Sequence, residues 1–410
     1  MNSTLISNKS SYYIDNELKY NAHNYESLPV VLNKGKGVCL WDVEGKRYYD
    51  FLSGYSAVNQ GHCHPVIIDA LIQQVQKLSL TSRAFYNDVL GEYAEFITSY
   101  FGYHKVLPMN TGVEAVETAL KLSRKWGYEV KGIGSGKAKI IVCSNNFHGR
   151  TTGVISFSTD PSATNNYGPF IPGYEIIPFN NLAKLAEALT DKNVAGFLVE
   201  PIQGEAGVIV PDAGYLIKAK QFCKDANVLF IADEIQTGLG RTGKMLCCDH
   251  EEVRPDILIL GKALSGGTLP VSAILADDPI MLTIKPGEHG STYGGNPLAC
   301  RVAISALTVL RDEGMIQNSE TLGILFREEM NNLHSPHIKL TRGMGLFNAI
   351  VIDHPGKDGA WKLCLELMKN GLLAKPTHGD KIRLAPPLVI TQQELEECVD
   401  IIRKSLKVLD

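Results

Sequence analysis

The chain has 410 residues, of which 40 are basic and 44 acidic, so its formal net charge at pH 7 is only −4. This length allows two domains and a large core, and the near balance of charge argues against nucleic-acid binding, which usually needs a strong basic excess. The hydrophobic fraction of 44% is typical of a globular protein, and no apolar run approaches the roughly 18 residues needed to span a membrane.

The N-terminal residues and the cysteines bear on the compartment. Residues 1–17 are polar, contain no arginine, and include Asp15 and Glu17. Neither a secretory signal nor a mitochondrial presequence has this composition, so we expect a cytoplasmic protein. The nine cysteines are an odd number without CxxC spacing, which favours free thiols in a reducing compartment. Residues 62–64 (HCH) could suggest a metal site, but no second ligand cluster has suitable spacing, so we expect none.

The middle of the chain predicts a large α/β domain, at residues 56–299. Short β-branched runs there alternate with amphipathic helical stretches; the runs lie at residues 138–143, 194–199, 228–232 and 257–260. This alternation predicts βαβ units and a mostly parallel sheet covered by helices on both faces. Ligands of such sheets bind at the carboxyl ends of the strands. We expect residues 1–55, with a turn at residues 42–45, to pack partly against a separate C-terminal domain.

Residues 110–114 (NTGVE) predict a helix N-terminus that can bind an anion. Thr111 and Glu114 have the spacing of a capping box, and an apolar stripe continues along the following residues. Gly112 lets an anion approach the first amides, at the positive end of the helix dipole. A well-capped helix alone would also explain the pattern. Together with the acid and the lysine described below, it favours a phosphate site.

Residues 147–150 (FHGR) follow the first of the β-branched runs and combine an aromatic surface with a cation. Phe147 or His148 can supply the face on which a planar cofactor stacks. Arg150 can bind a carboxylate with two hydrogen bonds. A core phenylalanine beside a surface arginine is the alternative that these residues leave open.

Two later runs end in residues with complementary chemistry. The run at 228–232 leads into Asp233 and Glu234, and the run at 257–260 leads into Lys262. A lysine with a buried stem has a lowered pKa, so its neutral amine can form a Schiff base with a carbonyl compound. A carboxylate about 4 Å from a pyridinium nitrogen contributes on the order of 4 kcal/mol at an effective dielectric near 20. We assign that role to Asp233 and a structural role to Glu234. Such a lysine and carboxylate are what pyridoxal phosphate (PLP) requires.

Residues 238–243 (GLGRTG) match the G-x-G-x-x-G pattern of dinucleotide-binding folds. They begin several residues beyond the preceding strand, and no convincing amphipathic helix follows them. We therefore interpret them as a glycine-rich loop of the active site.

The last part of the chain, residues 300–410, predicts a smaller α+β domain. Strands are expected near residues 345–352 and 381–384. Thr391 and Glu394 have capping-box spacing at the start of the last helix.

Taken together, these segments resemble the class III (omega) aminotransferases of the PLP fold-type I superfamily, from about residue 20 to the C-terminus. The motifs that carry the resemblance are residues 23–29 (HNYESLP), 55–62 (YSAVNQGH), 110–115 (NTGVEA), 146–151 (NFHGRT), 200–207 (EPIQGEAG), 233–238 (DEIQTG), 260–267 (LGKALSGG) and 289–297 (HGSTYGGNP). The resemblance implies a large domain with a mostly parallel seven-stranded sheet between helices, and a smaller α+β domain.

The resemblance also implies how the cofactor would be held. Lys262 would bind PLP covalently, Asp233 would pair with its ring nitrogen, and Gln236 would contact its ring hydroxyl. Phe147 would stack on the ring, with His148 beside it.

The phosphate group would be bound by residues of two subunits. Gly112 and Val113 would donate backbone amides to it. Thr292 would reach the phosphate held by the neighbouring subunit. The resemblance therefore implies a homodimer with its active site at the subunit interface.

Within the class, the chain is most similar to members that act on ornithine, on the strength of Tyr25, Tyr55, Arg150 and Glu205. This similarity implies transfer of the terminal amine of L-ornithine to 2-oxoglutarate. The products would be glutamate 5-semialdehyde, which cyclises to pyrroline-5-carboxylate, and glutamate, and the kinetics would be ping-pong.

One site would then have to accept two different substrates. We hypothesise that Arg383 binds the near carboxylate of 2-oxoglutarate and Arg150 the far one. When ornithine enters, Glu205 would pair with Arg383 and mask its charge. Arg150 and Tyr25 would then hold the distal carboxylate, while Tyr55 would shape the pocket for the α-amino end.

Three alternatives remain open. Another omega-aminotransferase could act on N-acetylornithine or 4-aminobutyrate, although the Tyr55 hydroxyl suits an α-amino group that 4-aminobutyrate lacks. An aminomutase or a PLP-dependent decarboxylase would not need two arginines suited to a dicarboxylate. A catalytically inactive PLP-binding protein would not need Lys262, Asp233 and Gln236 together.

Overall fold

The N-terminal part of the chain forms a helix and a small sheet in the computed structural model, which describes residues 8–410. These elements are α1 (Asn8–Tyr20), β1 (Leu32–Lys36), β2 (Cys39–Asp42) and β3 (Arg47–Asp50). The three strands are antiparallel, and the predicted turn at residues 42–45 joins the last two. The prediction that residues 1–17 are not a targeting signal falls partly on residues 1–7, which lie outside the described residues.

The large sheet has seven strands, as predicted. They are β4 (Lys105–Met109), β5 (Lys139–Cys143), β6 (Tyr174–Ile177), β7 (Val194–Val199), β8 (Leu229–Asp233), β9 (Ile257–Leu260) and β10 (Ser272–Ala276), in the spatial order β4-β10-β9-β8-β7-β5-β6. All neighbours are parallel except β10, which is antiparallel to both β4 and β9. Six of the seven strands therefore point in one direction, and their carboxyl ends lie at one edge.

Helices cover both faces of this sheet. In chain order they are α2 (Ser53–Ser56), α3 (Pro65–Lys77), α4 (Leu90–Phe101), α5 (Gly112–Glu129), α6 (Thr152–Ile155), α7 (Pro161–Thr164), α8 (Leu182–Ala188), α9 (Tyr215–Asp225), α10 (Asp278–Met281) and α11 (Pro297–Asp312). Apolar residues of α5 pack on one face, and those of α8 and α9 on the other. Burial on both faces explains why β7, β8 and β9 are apolar throughout rather than alternating.

The C-terminal part forms a second, antiparallel sheet with helices. Its elements are α12 (Met315–Asn332), β11 (Ile338–Met344), β12 (Phe347–Ile352), α13 (Gly359–Lys369), β13 (Leu372–Leu373), β14 (Lys375–Thr377), β15 (Lys381–Leu384) and α14 (Gln392–Ser405). The sheet order is β11-β12-β15-β14, and β13 instead pairs in parallel with β3. That pairing supports our proposal that residues 1–55 pack partly with residues 300–410. None of the helices within the described range has both the length and the hydropathy needed to cross a membrane.

Arg241 joins the large domain to the C-terminal part of the chain. It is fully buried, and its guanidinium donates to Asn59 Oδ1 (2.6 Å), to the Leu346 carbonyl (3.0 Å) and to the Pro386 carbonyl (2.6 Å). Burial lowers the pKa of Arg241 to about 9, although the charge of Asp50 opposes this effect. These hydrogen bonds therefore have to offset a substantial desolvation cost.

We predict that Arg241→Ala destabilises the fold by roughly 3 kcal/mol or more, because each buried acceptor left without a donor costs about 1–3 kcal/mol. The measurement is urea unfolding at a fixed protein concentration. The control is Arg311→Ala, which removes an exposed side chain paired with Asp312 and should change stability by less than about 0.5 kcal/mol. Equal unfolding midpoints for the two variants would contradict the role of Arg241.

Candidate active site

A cavity of about 250 Å³ lies at the carboxyl edge of the large sheet. It is lined by Gly112, Val113, Phe147, His148, Gly149, Glu200, Ile202, Asp233, Ile235, Gln236, Thr237 and Lys262. These residues follow β4, β5, β7, β8 and β9, whose ends converge because the strands run in the same direction. Seven of the predicted site residues therefore lie around one space.

Lys262 enters this cavity from the turn after β9. Its backbone lies in the left-handed region, with φ of 44°, and its side chain is not exposed. Burial lowers its pKa from 10.5 to about 8; the carboxylate of Glu205 opposes this shift, and the charge of Arg383 adds to it. The amine is therefore neutral, and nucleophilic, in a much larger fraction of molecules than an ordinary lysine.

Asp233 forms a buried pair with His148. Their Oδ2 and Nδ1 atoms are 2.7 Å apart, and both side chains are almost fully buried. Burial acts to lower the pKa of His148, but its hydrogen bond with Asp233 and the charge of that carboxylate raise it overall. Because the His148 ring is engaged in this way, Phe147 is the better candidate for a stacking surface. No sequence pattern indicated this pairing, since the two residues are 85 positions apart.

Glu200 is a site residue that sequence reasoning did not single out. It follows β7 directly, is buried, and accepts a hydrogen bond from the Phe147 amide (3.1 Å). Burial raises its pKa to about 8, with His148 opposing and Asp233 adding to the shift. The signal that could have found it is its position at the end of an apolar strand, since Asp233 and Lys262 also lie at or just after strand ends.

The helix that begins at Gly112 has the predicted capping box. Thr111 is its N-cap, and its backbone amide donates to Glu114 Oε2 (2.6 Å), while the Thr111 hydroxyl accepts from the Glu114 amide. A Cβ on Gly112 would lie 3.1 Å from the Ile235 side chain, so glycine suits this close approach. The first-turn amides of a helix have no intrahelical partner and can bind an anion.

Arg383 and Glu205 form an ion pair beside the cavity. Nη1 of the arginine lies 2.7 Å from Oε1 of the carboxylate, and the arginine is only 2% exposed. Gln236 donates to the same carboxylate oxygen (3.2 Å), and the Tyr55 ring lies 5.0 Å from the guanidinium. Burial acts to raise the pKa of Glu205, but Arg383 and Lys262 lower it overall, so the carboxylate is ionised at neutral pH.

A second cavity, of about 410 Å³, adjoins the first. Its lining includes Phe147, His148 and Gly149, which it shares with the first cavity, and also Arg150, Glu205 and Lys381. Arg150 is exposed, and its guanidinium lies 5.5 Å from the centre of the Phe147 ring. A substrate that reaches Lys262 could therefore extend past Phe147 toward Arg150.

Besides Arg150, two predicted site residues are exposed on the single chain. Tyr25 is 73% exposed, with the Lys375 ammonium 5.7 Å from its ring centre, and Thr292 is also exposed. Neither lines the two cavities described above.

The glycine-rich segment at residues 238–243 lines neither of the two cavities. Our interpretation of it as an active-site loop was therefore wrong. Gly240 and Gly243 have positive φ and pack against the C-terminal part, with Leu388 and Glu320 as close neighbours. The segment positions Arg241 instead. Residues 62–64 also lie elsewhere: His62 pairs with Asp50 at 2.7 Å.

The chemistry of the first cavity fits PLP. A helix N-terminus suits its phosphate, the Phe147 ring suits its planar ring, and the Asp233–His148 pair suits a protonated ring nitrogen. The lowered pKa of Lys262 suits covalent attachment to an aldehyde. The Nε2 atom of His148 is buried and has no hydrogen-bond partner among the described residues, so one polar atom beside this cavity lacks a hydrogen bond.

Comparison with known proteins gives consistent results. The profile of the family described as aminotransferase class-III matches residues 20–406. The chain is 62% identical to the mitochondrial ornithine aminotransferase of Rattus norvegicus over 97% of this chain and 90% of that one.

Two solved structures extend the comparison. The ornithine aminotransferase of Toxoplasma gondii, which has partial occupancy of PLP at its active site, superposes with a TM-score of 0.96 at 50% identity, covering 98% of this chain and 94% of that one. The acetylornithine aminotransferase of Elizabethkingia anophelis superposes with a TM-score of 0.90 at 58% identity, covering 97% and 99%.

We predict that Lys262 reacts with a small aldehyde, in the protein freed of cofactor, at an unusually low pH. With a pKa of about 8, its labelling with cyanoborohydride should rise between about pH 7 and 9 and then level off, because about half of the amine is already neutral at pH 8. Peptide mapping measures the rate at each site. Lys184, whose pKa is raised by its hydrogen bond with Glu187, is the internal control and should still be accelerating above pH 10. Identical pH profiles at the two lysines would contradict the assignment.

Proposed function

Because the chain belongs to the class-III aminotransferase family, we propose that it transfers the terminal amine of L-ornithine to 2-oxoglutarate, with PLP as cofactor. The products are glutamate 5-semialdehyde, which cyclises to pyrroline-5-carboxylate, and glutamate. The single observation that carries the proposal is the Glu205–Arg383 ion pair beside the cavity. It offers a carboxylate-binding arginine whose charge can be exposed or masked, as two dissimilar substrates require.

Each residue around the cofactor has a defined task in this proposal. Bound PLP supplies an electron sink for the pair of electrons left when a substrate C–H bond breaks. Asp233, oriented by His148, keeps the proton on the ring nitrogen. Lys262 would hold the cofactor, and its Nζ atom would move a proton when a substrate amine is bound. A positioned base of this kind contributes about 10²–10⁴-fold to the rate. Gln236 would contact the ring hydroxyl, and the amides of Gly112 and Val113 would hold the phosphate.

The ion pair is the basis for accepting both substrates. With Glu205 paired to Arg383, the charge of this arginine is neutralised beside the reacting carbon, which suits the apolar chain next to the terminal amine of ornithine. With Glu205 turned away, Arg383 can bind the carboxylate next to the keto group of 2-oxoglutarate with two hydrogen bonds. Arg150 binds the distal carboxylate in both cases, with Tyr25 assisting for ornithine and Tyr55 shaping the wall.

The active unit in this proposal is a homodimer. Thr292 is exposed on the single chain, which suits a residue that contacts the phosphate in a neighbouring subunit. Residues 56–299 are the cofactor-binding domain and residues 300–410 the smaller one.

We propose a cytoplasmic, reducing compartment, because all nine cysteines are free thiols and eight of them are buried. The rat relative is a mitochondrial enzyme.

N-acetylornithine is the second candidate substrate. The specific observation in its favour is the 58% identity to the acetylornithine aminotransferase of Elizabethkingia anophelis. 4-Aminobutyrate is a weaker candidate, since it has no α-amino group for the Tyr55 hydroxyl to recognise.

We predict that the purified, PLP-loaded protein forms pyrroline-5-carboxylate from ornithine and 2-oxoglutarate. The cyclic imine is measured by its colour reaction with o-aminobenzaldehyde, and a panel with N-acetylornithine and 4-aminobutyrate ranks the donors by kcat/KM. Ornithine should rank first. Lys262→Ala, which removes the attachment point and the base, should abolish turnover. A higher kcat/KM for N-acetylornithine would replace the proposed substrate with the second candidate.

We predict that Glu205→Ala shifts the reaction from the terminal amine toward the α-amine. Without Glu205, the charge of Arg383 stays exposed and attracts the α-carboxylate of ornithine or glutamate to the reacting end. The kcat/KM for glutamate as donor should rise relative to that for ornithine, on the order of 10-fold or more. Proton NMR separates the cyclic imines that the two regiochemistries give. Glu187→Ala, which removes a carboxylate that is 69% exposed, is the control. An unchanged ratio in the Glu205 variant would count against the switch.

A further inference from the structure

The second cavity contains an acid that the mechanism above does not use. Asp160 is part of its lining, together with Arg150, Glu205, His378 and Lys381. It is the N-cap of the short helix α7, where its two carboxylate oxygens accept from the Ser162 amide (2.9 Å) and hydroxyl (2.8 Å). Asp160 is half-buried and lines the cavity, so a ligand in the cavity can reach this residue.

The charges of this cavity are not all available to a ligand. The Glu205 carboxylate is paired with Arg383, and the Lys381 ammonium with Asp380. Arg150 and Asp160 remain as a cation and an anion that face the same space. Burial acts to raise the pKa of Asp160, but the hydrogen bonds from Ser162 and the charges of His378 and Arg150 lower it overall. The carboxylate is therefore ionised at neutral pH.

A cation and an anion in one cavity match the distal end of ornithine, which carries both a carboxylate and an ammonium group. We propose that Asp160 is a specificity-determining residue that binds the α-ammonium group of ornithine while Arg150 binds its α-carboxylate; this inference rests on the proposed function. The distal end of 2-oxoglutarate has only a carboxylate, and so does that of 4-aminobutyrate. N-acetylornithine has a neutral amide in place of the ammonium. Asp160 would therefore favour ornithine over each of these compounds.

The capping role of Asp160 can be separated from its charge. Asparagine is as good an N-cap as aspartate, and its side-chain oxygen can still accept from the Ser162 amide. Asp160→Asn therefore keeps the start of α7 while it removes the negative charge from the cavity.

The experiment compares ornithine with 5-aminopentanoate, which is ornithine without its α-ammonium group. In Asp160→Asn, kcat/KM for ornithine should fall on the order of 10-fold, mainly through KM, because a charge-assisted contact is lost. The value for 5-aminopentanoate should stay within about 2-fold, since that substrate never makes the contact. KM for 2-oxoglutarate should not rise. Asp212→Asn, an exposed acid outside both cavities, is the matched control and should leave both donors unchanged.

Two results would overturn the inference while leaving the proposed function intact. One is an unchanged ornithine-to-5-aminopentanoate ratio in Asp160→Asn, with both activities retained. The other is an equal loss of activity on the two donors, which would show that Asp160 acts only through the fold of its loop. If instead the unsubstituted enzyme does not use ornithine at all, the proposed function itself fails.

Discussion

Parallel strands bring residues that are far apart in the chain to one edge of a sheet, and the candidate active site depends on this constraint. Phe147, Glu200, Asp233 and Lys262 come from four different strand ends, yet they line one cavity. Because β10 is antiparallel to both of its neighbours, β4 points the same way as β9. The N-terminus of α5, which follows β4, therefore faces the same space and adds an anion site to it.

Within this space, charge is arranged in pairs rather than singly. Asp233 has His148 as its partner, and Glu205 has Arg383, in each case at 2.7 Å. An isolated buried charge would be costly, and each pair offsets part of the desolvation of its two members. Within residues 8–410, Lys262 has no such close partner, and burial lowers its pKa. Desolvation is offset by the partner charge in the two pairs. At Lys262 it instead favours the neutral, nucleophilic amine.

Much of the fold and part of the site could be predicted from the sequence, because they depend on local patterns. The apolar runs before Asp233 and Lys262 predicted strands that the structure has within one residue, and the Thr111 and Thr391 capping boxes are present. The pairing of His148 with Asp233 and the place of Asp160 could not be predicted. They depend on which strands are neighbours and on how one loop folds over another, and neither follows from the order of residues along the chain.

The Glu205–Arg383 pair also has a mechanical consequence. Glu205 belongs to a loop that follows β7 of the large sheet, whereas Arg383 lies on β15 of the C-terminal sheet. A carboxylate substrate that displaces Glu205 thus breaks a bridge between the two sheets, while a substrate that leaves the pair intact preserves it. In the proposed switch, choice of substrate would therefore be thermodynamically linked to this contact between the two sheets, while the hydrogen bond from the Thr377 hydroxyl to the Glu205 carbonyl (2.7 Å) keeps the loop attached.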